Sequence, residues 1–239
     1  MKKRTLLLFF VGIFGQLYAQ DYENRPAAEG MTRKLRHMAS FSLVAALPQG
    51  LFRDLNNHVG FGLRGNVTTA VRHFPIQIGF DGGYITQQTA RREFKNGNAT
   101  FQDRYKVKAN SNVVSLGFTA RFDPFAHHRN SPVQPFIDAT VGTNAFFSSV
   151  ETAYYDNGEW NSKNTNTKPR WAYMYGGSLG VGIPVGKQMR IEVKGSYYFG
   201  DRTKYKTDPV IDALGTVEFT EKKSETTMLI PQIGLNWLW

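Results

Sequence analysis

From residue 38 onward the chain shows no helical period, and stretches of about ten residues alternate apolar with small or polar side chains, the two-residue period of a strand with two unlike faces. Residues 188–200 show it best. Met189, Ile191, Val193, Tyr197 and Phe199 fall on one face, while Arg190, Glu192, Lys194, Ser196 and Tyr198 fall on the other. A one-residue slip would carry three charges onto the apolar side, so the register is strongly specified. Seven further segments repeat the theme: 39–47, 59–71, 75–86, 112–123, 134–150, 171–184 and 226–239. Eight strands are therefore expected, and neither a helical bundle nor a disordered chain fits the pattern.

Periodicity alone does not say which face is outside, because a soluble barrel or sandwich turns its apolar face inward and a membrane barrel turns it toward lipid. Composition decides. The non-apolar face is crowded with glycine (Gly60, Gly62, Gly79, Gly83, Gly117, Gly142, Gly176, Gly180 and Gly182), which suits a narrow interior and would only weaken a solvent-facing strand. Its charges nearly balance: Arg64, Arg121, Arg190 and Lys194 against Asp81, Asp138 and Glu192. That mixture suits a filled polar lumen, where an unpaired charge is costly, and these seven residues are expected to form a structural ion-pair network.

Two more patterns point the same way. The connections 48–58, 87–111, 151–170 and 201–225 are expected to be long loops, and 72–74, 124–133 and 185–187 shorter turns, the alternation of a barrel whose two ends face different compartments. Aromatic residues cluster toward strand ends, as they do at the two lipid–water interfaces. Tyr84, Phe147, Tyr173, Tyr175, Tyr197 and Phe199 lie toward the long-loop end, and Phe74, Phe122, Trp237 and Trp239 toward the other. The expected fold is all-β, an eight-stranded antiparallel up-and-down transmembrane barrel over residues 38–239, with both termini at the short-turn, periplasmic end.

The first residues read as an export signal. Lys2, Lys3 and Arg4 precede an apolar run over 5–14, too short to span a membrane as a helix, and Leu17 and Ala19 precede an expected cut before Gln20. Residues 1–19 are thus the expected signal peptide, and 20–37, polar and without a sustained apolar period, a periplasmic tether. The chain has no cysteine, which excludes disulfides, thiolate metal sites, thiol catalysis and a lipid-modified N-terminal cysteine.

Ile233, Leu235, Trp237 and Trp239 alternate to the last position. On this pattern the region 38–239 resembles the small eight-stranded outer-membrane barrels of the OmpA-like and OmpX-like kind, grouped with the porin family. The resemblance implies a Gram-negative outer-membrane protein whose terminal strand is read by the barrel assembly machinery, with Trp237 and Trp239 as that signal and Trp239 in place of the usual Phe. It also implies outer-membrane lipid and lipopolysaccharide as surroundings, and no peptidoglycan-binding domain is expected after Trp239.

Side chains fill an eight-stranded interior, so a general diffusion pore is not expected. Lipid-modifying catalysis on such barrels needs a base near a serine or water at the outer leaflet. The histidines match this poorly. His37 precedes the first strand, His73, His127 and His128 lie in short turns, and His58 sits in the first long loop without a nearby Ser and Asp pattern. No catalytic residue, metal or cofactor is assigned. Cations concentrate in the second long loop (Arg91, Arg92, Lys95, Arg104, Lys106 and Lys108) and the third (Lys163, Lys168 and Arg170). Pairing of Arg91, Arg92, Lys95, Arg104, Lys163, Lys168 and Arg170 with lipopolysaccharide phosphates, and a merely solvated face, both suit them; nucleic acid is not expected of an exported chain. Asn96-Gly97 and Asn157-Gly158 favour tight hairpin turns, so these loops are expected to protrude as strands able to bind a partner by strand addition. Three roles remain open: a non-enzymatic envelope-structural or surface-interaction barrel, alone or as an accessory subunit of a larger outer-membrane complex; a lipid A or phospholipid-modifying enzyme; and a narrow pore.

Overall fold

The computed structural model describes residues 37–71, 74–95, 104–125, 131–156, 159–186 and 188–238. The expected signal peptide, nearly all of the tether, His73, His127, His128, both Asn-Gly pairs and Trp239 lie outside the described residues.

The strands are β1 (His37–Pro48), β2 (Gly60–Ala70), β3 (Ile76–Lys95), β4 (Arg104–Phe122), β5 (Gln134–Asp156), β6 (Glu159–Asn166), β7 (Arg170–Pro184), β8 (Met189–Gly200), β9 (Arg202–Ile211), β10 (Val217–Glu225) and β11 (Met228–Leu238), with one short helix, α1 (Leu51–Leu55). Eight of them close a barrel in the order β1-β2-β3-β4-β5-β7-β8-β11 and back to β1, every neighbour antiparallel. Closure is direct: Phe41 is opposite Gly65 on one side and Leu235 on the other. An eight-stranded antiparallel barrel is therefore the fold, and closing the sheet removes every unpaired edge from its wall.

Burial along the wall is the inverse of a soluble protein's. In β8, Arg190, Glu192, Lys194, Ser196 and Tyr198 are buried while Val193, Tyr197 and Phe199 are exposed. The same holds around the barrel, where Phe41, Phe61, Phe80, Phe118, Val141, Leu179 and Leu235 are each more than half exposed. Glycine serves close approach in two ways. A Cβ on Gly142 would stand 2.1 Å from the Leu116 carbonyl oxygen of the neighbouring strand, and one on Gly180 would stand 2.4 Å from the Phe136 ring inside the lumen.

Three expectations are corrected. His37 is not tether: it opens β1, opposite Thr69, with Nδ1 3.0 Å from the Thr69 hydroxyl. The segment 87–111 protrudes as the expected strands, β3 and β4 remaining paired up to Lys95 opposite Arg104. Only 96–103 separates the two strands, so the ordering of connections by length fails there. A register shift between Thr86 and Gln88 marks where this overhang begins. Likewise, β6 folds back on β5 from Asp156–Glu159 down to Ser149–Asn166. Lastly, 201–225 is an ordered hairpin, β9–β10, in a two-stranded sheet of its own. In the β4 extension Val107 and Ala109 are buried and alternate with Lys106 and Lys108, and pairing gives the backbone groups of both extensions their partners.

Candidate functional site

The interior is a stack of two closures. Toward the end where β1 begins and β11 ends, four cations, Arg64, Arg121, Arg190 and Lys194, meet four acids, Asp81, Asp123, Asp138 and Glu192. Arg121 is central. Its Nε donates to Asp138 Oδ1 at 2.7 Å, its Nη1 to Glu192 Oε1 at 2.7 Å, and its guanidinium lies 3.9 Å from the centroid of the Phe136 ring. Arg190 donates to Glu192 at 2.8 Å and to Asp123 at 2.7 Å, Lys194 to the other oxygen of Asp138 at 3.2 Å, and Arg64 to Asp81 at 2.5 Å. Strand register builds this layer. Arg121 and Asp138 are directly opposed across β4 and β5, and Arg190 and Glu192 are two apart on one face of β8. Asp123 is the acid that the sequence reading left out: it lies one residue past β4, two along from the inward Arg121 on the same face, and is fully buried on Arg190.

Above this layer the lumen turns apolar. Phe52, from α1, is fully buried and meets the Tyr205 ring edge-on at 5.1 Å and the Phe146 ring at 6.2 Å. Val44, Ile85, Val113, Met174, Met228 and Ile230 complete the cluster from the wall. Tyr205 comes from β9, so the β9–β10 hairpin and α1 together plug the mouth. Sequence reasoning missed this lid, although Thr203, Tyr205 and Thr207 alternate and Asp212 to Gly215 make a turn in which the Asp212 carboxylate accepts the Leu214 and Thr216 N–H groups.

A polar collar fastens the lid. Asn56 donates to Gln87 at 2.9 Å, Thr207 and the Asp208 N–H donate to Gln88 at 2.7 and 2.6 Å, and Gln88 Nε2 donates to Asp208 at 2.9 Å. Lys222 donates to the Leu55 carbonyl and to Asp208. Asp208 holds a left-handed backbone, φ 50°, at a bulge in the hairpin. The histidine expected to lack an acid neighbour has one: His58 Nε2 lies 3.8 Å from Asp208 Oδ1. The two residues are far apart in sequence and meet only because the last connection folds back over the first.

The remaining predicted cations separate into two groups. Arg91, Arg92, Lys95, Arg104, Lys106 and Lys108 lie on the β3–β4 overhang, where Arg92 donates to the Ile211 carbonyl at 2.9 Å and Lys106 pairs with Glu93 at 3.7 Å. Lys163 is exposed on β6, and Lys168 and Arg170 join Lys204 and Lys206 around a pocket. Trp237, opposite both Ala39 and Met189, is half exposed on the wall.

An exposed apolar wall around a buried, ion-paired interior is the architecture of the transmembrane β-barrels of outer membranes. No protein-family model matches the chain, and no curated protein is detectably similar to it. Among solved structures it is similar to neisserial surface protein A (14% identity, 85% of this chain and 96% of that one, TM-score 0.43) and to a major outer membrane protein from Thermus thermophilus (12%, 85% and 99%, TM-score 0.42). OprG from Pseudomonas aeruginosa is a third, at 14% identity over 86% of this chain and 96% of that one, with a TM-score of 0.37. Identities this low and superpositions this loose say nothing of function.

Proposed function

We propose that this chain is a non-enzymatic integral outer-membrane barrel of a Gram-negative bacterium, with both termini periplasmic and an envelope-structural or surface-interaction role, alone or as a subunit of a larger outer-membrane complex. One observation carries the reading: the barrel exposes Phe41, Phe61, Phe80, Phe118 and Leu179 while burying Arg64, Arg121, Arg190 and Glu192. Only a surrounding lipid makes that inversion favourable. The ion-pair layer and the aromatic plug fill the lumen with structure, so the surfaces left for interaction are the wall and the protruding loop end. There the β3–β4 overhang and the β5–β6 hairpin offer paired strands and cations to lipopolysaccharide or a partner.

The native chain has no cysteine, so single cysteines report topology without background. On intact cells a membrane-impermeant maleimide should label Lys163→Cys and spare Lys187→Cys until the outer membrane is permeabilised. Labelling of Lys187→Cys alone would invert the topology.

A second reading, a lipid-modifying enzyme, draws on the approach of His58 to Asp208. Lipid A and phospholipid profiles of cells with the native chain and with His58→Ala should match. A change of acyl chain that depends on His58 would replace the first reading by the second.

A further inference from the structure

At the loop end, between the upper part of β5, the connection into β7 and the β9–β10 hairpin, lies a pocket of about 140 Å³. Its floor is buried and partly aromatic, formed by Phe146, Ser148 and Tyr205. Its rim carries Lys168, Arg170, Lys204 and Lys206 against a single acid, Glu221. Lys204 donates to Glu221 at 2.7 Å, whereas among the described residues Lys168, Arg170 and Lys206 have no carboxylate partner. The hydrogen bond and charge of Lys204, followed by the charges of Arg170 and Lys206, hold the Glu221 carboxyl below its ordinary range, so these cations act on one point in space.

The frame around the pocket is tied from several sides. Thr167 and Ser148 exchange two hydrogen bonds, each 2.9 Å, and the Ser111 hydroxyl donates to the Lys206 carbonyl at 3.0 Å. Thr203 donates to the Trp171 carbonyl at 3.2 Å. Four basic side chains from three elements thus surround one concavity that holds a single carboxylate, Glu221. Like charges repel across so small a space, and an anion with several acceptor oxygens relieves that repulsion while taking charge-assisted hydrogen bonds from Arg170 and the lysines. The aromatic part of the floor suits a sugar ring beneath the anionic group.

We propose that this pocket binds a phosphate monoester carried on a sugar, either the headgroup of an outer-leaflet glycolipid or a free sugar phosphate. The proposal takes from the proposed function only that the loop end faces the outside; its chemistry stands without that reading.

The test is calorimetry on the full chain in zwitterionic detergent, with glucose 1-phosphate as probe and glucose as control. Glucose 1-phosphate should bind and glucose should not. The double variant Arg170→Gln, Lys206→Gln should weaken binding at least tenfold with unchanged thermal unfolding, and Glu221→Gln should tighten it by removing the competing carboxylate. Purified lipopolysaccharide that displaces the probe assigns the lipid source, and failure to displace it assigns the free sugar phosphate. Absence of glucose 1-phosphate binding, equal binding by the double variant, or weaker binding by Glu221→Gln would overturn the proposal. The cysteine-labelling result for topology is independent of all three.

Discussion

At the residue scale, two side chains of the wall make opposite demands. Val193 sits on the outer face of β8 between Val181 and Ile233. Val193→Arg is expected to cost roughly 2–4 kcal/mol, the range for a cation near the bilayer midplane of such barrels, when folding is titrated in lipid vesicles. A cost near zero would mean that this row does not face lipid. Arg121, on the inner face of β4, holds Asp138 and Glu192 together. Its replacement by Met leaves buried carboxylates short of a partner and is expected to cost about 3–5 kcal/mol in the same titration. Arg121→Met combined with Asp138→Asn should cost less than the two single changes added together. Additive costs would show that the pair is not coupled.

At the scale of elements, the β9–β10 lid depends on Asp208. Partial burial alone would raise the pKa of this carboxyl, but hydrogen bonds from Lys222 and Gln88, then the charges of Lys222 and His58, outweigh it and hold the pKa below the usual aspartate value. A depressed folded-state pKa contributes stability above the unfolded value, ~3.9, and that contribution is lost as pH falls through the lowered one. Hydrogen exchange should therefore show residues 202–225 protected at neutral pH and progressively released in acid, with the wall strands unchanged over the same range. Asp208→Asn should raise exchange in the lid at neutral pH and remove most of its acid dependence. A lid whose exchange does not respond to either change is held by the Phe52, Phe146 and Tyr205 rings alone.

At the scale of the whole molecule, two unlike closures lie in series along one lumen, an apolar plug at the loop end and an ion-pair layer toward the end where β1 begins and β11 ends. Each is expected to block the path by itself. Planar-bilayer recordings on the native barrel should show no large, steady conductance, and Phe52→Ala, which loosens only the plug, should show none either. Porin-sized openings from Phe52→Ala would mean that the Arg121 and Arg190 layer is not a barrier.

Alternation made the eight wall strands and their two faces legible in the sequence, because lipid on one side and a filled lumen on the other punish a one-residue slip in every strand. Arg64, Asp81, Arg121, Asp138, Arg190, Glu192 and Lys194 were visible as inward charges for the same reason. Who pairs with whom was not, since it depends on register and on reach across the lumen; Arg121 on β4 meets Glu192 on β8, which is not a neighbouring strand, and Asp123 enters the layer from just beyond a strand end. The lid and the rim pocket were also hidden, whereas the Asn96-Gly97 and Asn157-Gly158 pairs marked the protruding strands. The lid and the pocket are ordered by contacts such as Asp208 with His58 and Lys206 with Ser111 that join the last connection to earlier ones. Local pattern determined the wall, where the environment is two-sided and uniform; tertiary structure decided the mouth, where backbone groups beyond the lipid find partners only once the barrel has closed and brought its loops together.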